Sequence, residues 1–299
     1  MNLLGEVLQQ TVNGIALGGI YALIAIGYTM IYGIIKLINF AHGDILMLGT
    51  FMAYFVLMAT GPTPLGLVLA FLVAMPGSAI LGMIIERFAY KPLRNAPRIN
   101  ALITAIGVSL FLENLARVLP FIGPNPRQFP TPPSVFLSYG GVGISNIQLL
   151  IIVVSVVLML VLSYIVERTK VGKAMRAVSY DKPASALMGI DVNRVISFTF
   201  ALGSALAAAA GILFASAYPL IEPYMGIMPG LKAFVAAVLG GIGSIPGAMV
   251  GGFIMGLAET YTKGFINSQL ADAIAFGILI LILLVKPSGL FGKETSEKV

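Results

Sequence analysis

Apolar residues come in long runs along this chain, and the polar residues fall into the gaps between them. Runs near 8–33, 37–59, 64–85, 101–123, 148–166, 195–217, 229–262 and 270–285 approach or exceed the ~20 residues a helix needs to cross a hydrocarbon core. They lack the period-two alternation of a membrane β-strand, so helices rather than a closed barrel satisfy the backbone in lipid. The 229–262 block holds two shortened spans, 229–245 and 247–262, broken near Ser244-Ile245-Pro246. The pattern predicts an all-α polytopic membrane protein, one transmembrane domain over residues 1–299 with about eight transmembrane helices. It shows no low-complexity linker and no second soluble domain.

The polar gaps orient these spans. The longest, Glu167–Arg194, holds six Lys/Arg (Arg168, Lys170, Lys173, Arg176, Lys182, Arg194) against Glu167, Asp181 and Asp191. Another, Arg87–Arg98, carries Arg87, Lys91, Arg94 and Arg98 and no acid. Short loops rich in Lys and Arg stay on the cytoplasmic side. The two gaps are separated by two spans, so both fit on that side. The Pro-, Gly- and Ser-rich 124–147 and the 218–228 loop belong opposite. A tail with Lys286, Lys293 and Lys298 places the C-terminus inside, and counting back places the N-terminus outside. Reading 8–33 as a re-entrant or doubled segment moves the N-terminus inside.

The central gap is itself patterned. Val171, Ala174, Met175 and Val178 make the stripe of an amphipathic helix. A shorter helix follows, with Asp181 as N-cap, Pro183 in its first turn and Gly189 as the stop, backed by Ile190. Asp191 then caps the next span. The pattern leaves two readings, a solvated surface helix or a docking element for a cytoplasmic partner.

Composition narrows the function. The chain is 58% hydrophobic and only 10% charged, against about 25% charged in soluble domains, and its mean hydropathy is +0.98. The net charge of +6 is a topology signal here, not a nucleic-acid footprint. Zero cysteines exclude a disulfide framework, a thiolate nucleophile and a Cys metal site. His42 is the single histidine, which excludes a His-based metal cluster. Gly172-Lys173 and Gly292-Lys293 lack the upstream glycine and following hydroxyl of a phosphate-binding loop, so the chain is expected to bind no ATP itself. Residues 1–20 show no basic n-region or cleavage site of a signal peptide.

Candidate chemistry inside the spans is sparse. Asn39-Phe40-Ala41-His42-Gly43-Asp44 is polar within apolar surroundings. Asp alone costs about 2.5–3.5 kcal/mol at a helix centre. Either Asn39 or Asp44 caps a helix after a break, or the stretch lines a wet path with helix N-terminal amides exposed. Glu113 and Arg117, four apart, are read as a neutralising pair. Glu259 and Asp272 are read as interfacial. Gly14, Gly18 and Ala22 form a small-residue face, as do Ala201, Ala205 and Ala209. Gly240, Gly241, Gly243, Gly247, Gly251, Gly252 and Gly256 suggest close packing, with a hinge or gate at Ser244-Ile245-Pro246 as the alternative. Residues 39–56 and 241–259 both run from a break into a glycine-bearing helix, a trace of internal duplication.

Several motifs carry a resemblance. Gly19–Met30 (GIYALIAIGYTM), Ile38–Asp44, Lys232-Ala233-Phe234, the Ala237–Ala248 glycine run, Gly172–Ala177 and Leu187–Ile190 resemble the membrane permeases of bacterial branched-chain amino-acid ABC importers, in particular the shorter, LivH-type permeases. The resemblance runs end to end. It implies a multi-pass subunit of the bacterial inner membrane, without a cofactor, that works with a second related permease. Two cytoplasmic ATPases that consume ATP and a periplasmic solute-binding protein complete the implied assembly. It also implies that Asp181-Lys182-Pro183-Ala184-Ser185-Ala186-Leu187-Met188-Gly189-Ile190 is the coupling helix seated on an ATPase. The expected substrate path is Asn39, Phe40, His42, Gly43 and Asp44 with Gly240, Gly241 and Ser244. Permeases with these signatures also import urea, short amides and other small solutes. An ion-coupled carrier or channel would need midplane titratable groups, for which Asp44 and Glu113 are the candidates. An intramembrane enzyme lacks a nucleophile–base or metal constellation here.

Overall fold

The computed structural model of the chain describes residues 3–292 apart from 95, 140 and 141. Lys293 and Lys298 of the expected basic tail lie outside the described residues. Helices α1 (Leu3–Ile35), α2 (His42–Thr60), α3 (Pro64–Ile85), α4 (Arg98–Val118) and α5 (Asn146–Arg168) follow in order. Two short helices, α6 (Lys170–Tyr180) and α7 (Lys182–Leu187), precede α8 (Val192–Ala217), α9 (Ile227–Gly240), α10 (Ile245–Phe265) and α11 (Ala271–Val285). Among the described residues, seven helical segments are long and apolar enough to cross a membrane. To these α10 adds a full-length helix and α9 a half-length one. The protein is an all-α polytopic membrane protein, and residues 8–33 belong to one continuous helix rather than a doubled segment.

Glycine decides which helices meet. Gly14 lies against Leu257 and Thr260, Gly18 against Phe253, and Ala22 against Gly252, so α10 runs antiparallel along α1. A side chain at any of these glycines would strike the facing helix. The small-residue face of α1 is therefore its α10 seam. In the glycine run, Gly247 and Gly251 face α9 while Gly252 and Gly256 face α1. Gly243 is not part of that packing: it sits in a turn at φ +100° with open space around it. On α8, Ala201 and Ala205 are only half-buried. The close approaches come instead from Gly203 against Gly27, Ser204 against Gly82 and Ala208 against Gly49.

The chain repeats itself with inverted direction. α1 and α8 are the long buried helices of two halves, and each is followed by an irregular return, 36–41 and 218–226. Each return leads into a helix, α2 or α9, that begins inside the bundle. Each of those ends in a turn of the same design. Gly61 (φ +79°) precedes Thr63, which caps the helix starting at Pro64. Gly241 (φ +102°) precedes Ser244, which caps the helix starting at Ile245-Pro246. The helix after the turn then packs on the long helix of the other half, α3 on α8 and α10 on α1. Inverted repeats of this kind place sites where the broken helices meet. The duplication is thus real in shape but shifted from the expected match. Residues 241–259 correspond to the turn after α2, and the partner of 39–56 is the stretch leading into α9.

At the end carrying Lys36, Arg94 and α6–α7, the basic end, α3 continues as a π-turn (Glu86–Tyr90) and a 3-10 turn (Lys91–Leu93). The tail returns there too, with Leu290 and Phe291 amides bonded to the Leu239 and Gly240 carbonyls. The opposite end is covered by 119–145. There β1 (Arg127–Gln128) pairs with β4 (Leu220–Ile221), and β2 (Phe136–Tyr139) forms a hairpin with β3 (Val142–Ser145).

Candidate functional site

Gly27 of α1 lies against the His42 ring, so α2 begins eight residues short of α1's end at Ile35, about 12 Å into the bundle. α9 begins at the same depth, because Gly43 touches Gly226 and Gly230 approaches Gly43. Two helix N-termini therefore meet inside the protein. A cavity of about 180 Å³ opens beside them, walled on its third side by α4.

Asp44 lines that cavity and is 3% exposed; Ser109 of α4 donates to its Oδ2 at 2.5 Å. Glu113, one turn further along α4, lines the same cavity as Asp44. Among the described residues neither carboxylate has a salt-bridge partner. Arg117 does not neutralise Glu113 as expected: its guanidinium donates to the Tyr224 hydroxyl at 2.7 Å and lies over that ring. Nor do Asn39 and Asp44 cap α2 with their side chains. The N-cap is Ala41, and the Asn39 side chain instead accepts a hydrogen bond from Tyr90 at 2.8 Å.

Of the expected path residues, the structure brings Phe40, Gly43 and Asp44 together at the cavity. His42 is fully buried behind it, its ring 4.6 Å from Tyr28, and neither ring nitrogen makes a hydrogen bond. Gly240, Gly241 and Ser244 lie away from this cavity, in the turn at the basic end. Sequence reading missed Tyr28, Ser109, Gly226 and Gly230, which come from three different helices and the loop before α9. Asp44 and Glu113 were legible as acids inside apolar blocks, but not as neighbours.

A buried ion cluster was also missed. Glu259 is 3% exposed, and it accepts from Tyr21 at 2.7 Å, Lys232 at 2.9 Å and Lys263 at 2.5 Å. Lys232 also reaches Asp272 at 2.7 Å. Two acids and two bases close to net zero, joining α1, α9, α10 and α11.

The central basic element folds as its caps dictate. Asp181 accepts from the Ala184 amide at 2.9 Å, and Asp191 from that of Arg194 at 3.1 Å. α7 ends with Gly189 at φ +82°, its amide bonded to Ala186 and that of Ile190 to Ser185. This double bond pattern is the Schellman stop. On α6, Gly172, Met175 and Val178 are buried, whereas Val171 is exposed, so the buried stripe is rotated from the expected one. Leu187 and Met188 at the tip of α7 are 89% and 82% exposed. Below them Arg94 bonds to both Glu86 and Asn193, and Ser197 donates to Glu86 at 2.7 Å. That network ties the end of α3 to the first turns of α8, the helix into which α7 leads. Burial, then the neighbouring Arg94 and Lys36 charges, push Lys182 below the ordinary lysine range.

Residues 10–283 match the family of the branched-chain amino acid transport system permease component. The chain belongs to this family. It is 44% identical to the high-affinity branched-chain amino acid transport system permease protein BraD of Pseudomonas aeruginosa, over 98% of both chains. It is 43% identical to the corresponding protein LivH of Escherichia coli (strain K12), over 98% of this chain and 97% of that one. A more distant relative, the ribose import permease protein RbsC of Haemophilus influenzae, is 25% identical over 98% of this chain. The family assignment accounts for the many spans and makes the helix-lined cavity and the basic element the two places to seek its work.

Proposed function

We propose that this chain is the permease subunit of an ATP-driven importer of leucine, isoleucine and valine in the bacterial inner membrane. It acts with a second related permease, two cytoplasmic ATPases and a periplasmic binding protein. The basic end faces the cytoplasm, as its lysines and arginines favour. The described residues allow nine crossings where about eight were expected, counting the 218–226 return with α9 as one, and an odd number agrees with an outer N-terminus and an inner C-terminus. The substrate assignment draws on the 43–44% identity to two branched-chain amino-acid permeases, against 25% to a ribose permease.

One observation supports the mechanism most directly. α7 holds two bare apolar side chains, Leu187 and Met188, at the tip of a cationic element that leads into α8, whose first turns are bonded to the end of α3. Exposed apolar residues on a rigid stub suit a cleft on another protein. Movement of that cleft on nucleotide binding would tilt α8, and with it α3 and α1, which it meets at Gly82 and at Gly27. The cavity at the α2 and α9 N-termini would then open to alternate sides. The test is uptake of labelled leucine, urea and ribose by vesicles holding the full assembly. ATP-dependent accumulation of leucine above both controls is expected. The isolated chain is expected neither to hydrolyse ATP nor to accumulate solute. Uphill leucine uptake by the chain alone would refute the proposal.

A further inference from the structure

We propose that the cavity where α2, α4 and α9 meet is a transit site for the ammonium group of an α-amino acid, ligated by Asp44, Glu113 and the hydroxyls of Ser109 and Tyr28. This rests on the reading of the chain as an amino-acid permease and adds to it the place and chemistry of recognition.

Three observations carry it. Asp44 and Glu113 are both buried and line one cavity, with no Lys or Arg paired to either among the described salt bridges. Two acids lining one dry cavity repel as carboxylates unless a proton or a cation lies near them, so an ammonium entering there can take the place of the proton. The buried acid of the other half, Glu259, by contrast has two lysines. Second, Tyr28 is 7% exposed, lines the cavity and makes no hydrogen bond among the described residues. Its hydroxyl stands 3.4 Å from where a Cβ on Gly230 would sit, so it points at the cavity floor. A hydroxyl that opens onto a cavity with no protein partner is free to bond a polar occupant. Third, Gly43, Gly226 and Gly230 leave that floor as bare backbone at two helix N-termini.

The chemistry of an α-amino acid answers each feature. Its ammonium has three N–H donors for two carboxylates and a hydroxyl. Its carboxylate suits the positive ends of α2 and α9. An apolar side chain fits against Ile106, Leu110, Ile227 and Leu231, which complete the wall. Urea, amides and sugars bring no positive charge to balance Asp44 and Glu113.

The chain has no cysteine, so a single engineered thiol reports on this site alone within it. Leu110→Cys in the assembled complex, without the binding protein, is treated with a thiol reagent and followed by mass spectrometry of this chain. Millimolar leucine is expected to slow its modification several-fold, while 4-methylpentanoate, the same skeleton without nitrogen, and urea do not. Ile106→Cys repeats the measurement should Leu110→Cys fail to assemble. Adding Glu113→Gln or Asp44→Asn is expected to weaken leucine protection about tenfold or more, as loss of one charge-assisted contact implies. Equal protection by 4-methylpentanoate, absence of protection by leucine, or leucine uptake at the unmodified rate by both acid variants would overturn the site. If the unmodified complex fails to import leucine at all, it is the transport reading that falls.

Discussion

Lys232 carries a positive charge deep between Glu259 and Asp272, where the sequence gives only a lysine in an apolar helix. Breaking a buried pair by removing one partner costs about 3–5 kcal/mol, whereas replacing both with apolar groups is often close to neutral. Lys232→Met is therefore expected to lower the thermal midpoint in detergent strongly, and Lys232→Met with Glu259→Met to recover most of it. If the single change is silent, the cluster contributes nothing to stability. Acids and bases inside apolar runs were visible beforehand as anomalies. Which of them meet was not, since Glu113 shares a cavity with Asp44, 69 residues back in the sequence, while Arg117, one turn away, bonds to Tyr224. Sequence spacing ranks neighbours on one helix, while the partner comes from whichever helix packs alongside.

At the scale of elements, α7 was readable to the residue because its signals are local. An acid accepts amides in its own first turn, and a glycine adopts the left-handed stop. Gly189 has open space where a Cβ would go, so a replacement suffers only from its backbone angle. Gly189→Val is expected to cost roughly 1–2 kcal/mol locally and to cut transport-coupled ATP hydrolysis while membrane insertion persists. Gly189→Asn, tolerated at positive φ, should restore most coupling. Equal coupling in the valine variant and the parent would detach this turn from the mechanism. The α1–α10 seam behaves differently: at Gly252 a side chain would meet the Ala22 backbone. Gly252→Leu should therefore lower the yield of folded protein, scored by detergent size-exclusion, far more than Gly277→Leu, where nothing crowds the site.

For the whole molecule, the inverted repeat joins both sites to one framework. Its two halves exchange helices, α3 seated on α8 and α10 on α1, so neither half closes without the other. A push delivered through α7 to α8, as proposed, would therefore reach both. With Leu187→Cys as the only thiol of the chain, a membrane-impermeant reagent added outside intact cells should leave it unlabelled. Added to inverted vesicles, it should label the thiol less when the ATPases are bound. Labelling from outside would reverse the proposed orientation.

Run length, low charge and the clustering of Lys and Arg determined the helical class and the place of nearly every span, because burial in lipid acts residue by residue along the chain. Caps and stops were determined the same way, each within one turn. The tertiary structure decided what depends on distance in space: that α2 and α9 start at one depth, that α4 brings Ser109 and Glu113 to Asp44, and that Lys232 finds Glu259. Glycines at 43, 226 and 230 hold the two helix starts in contact, and no pattern along the chain distinguishes them from glycines that merely turn it.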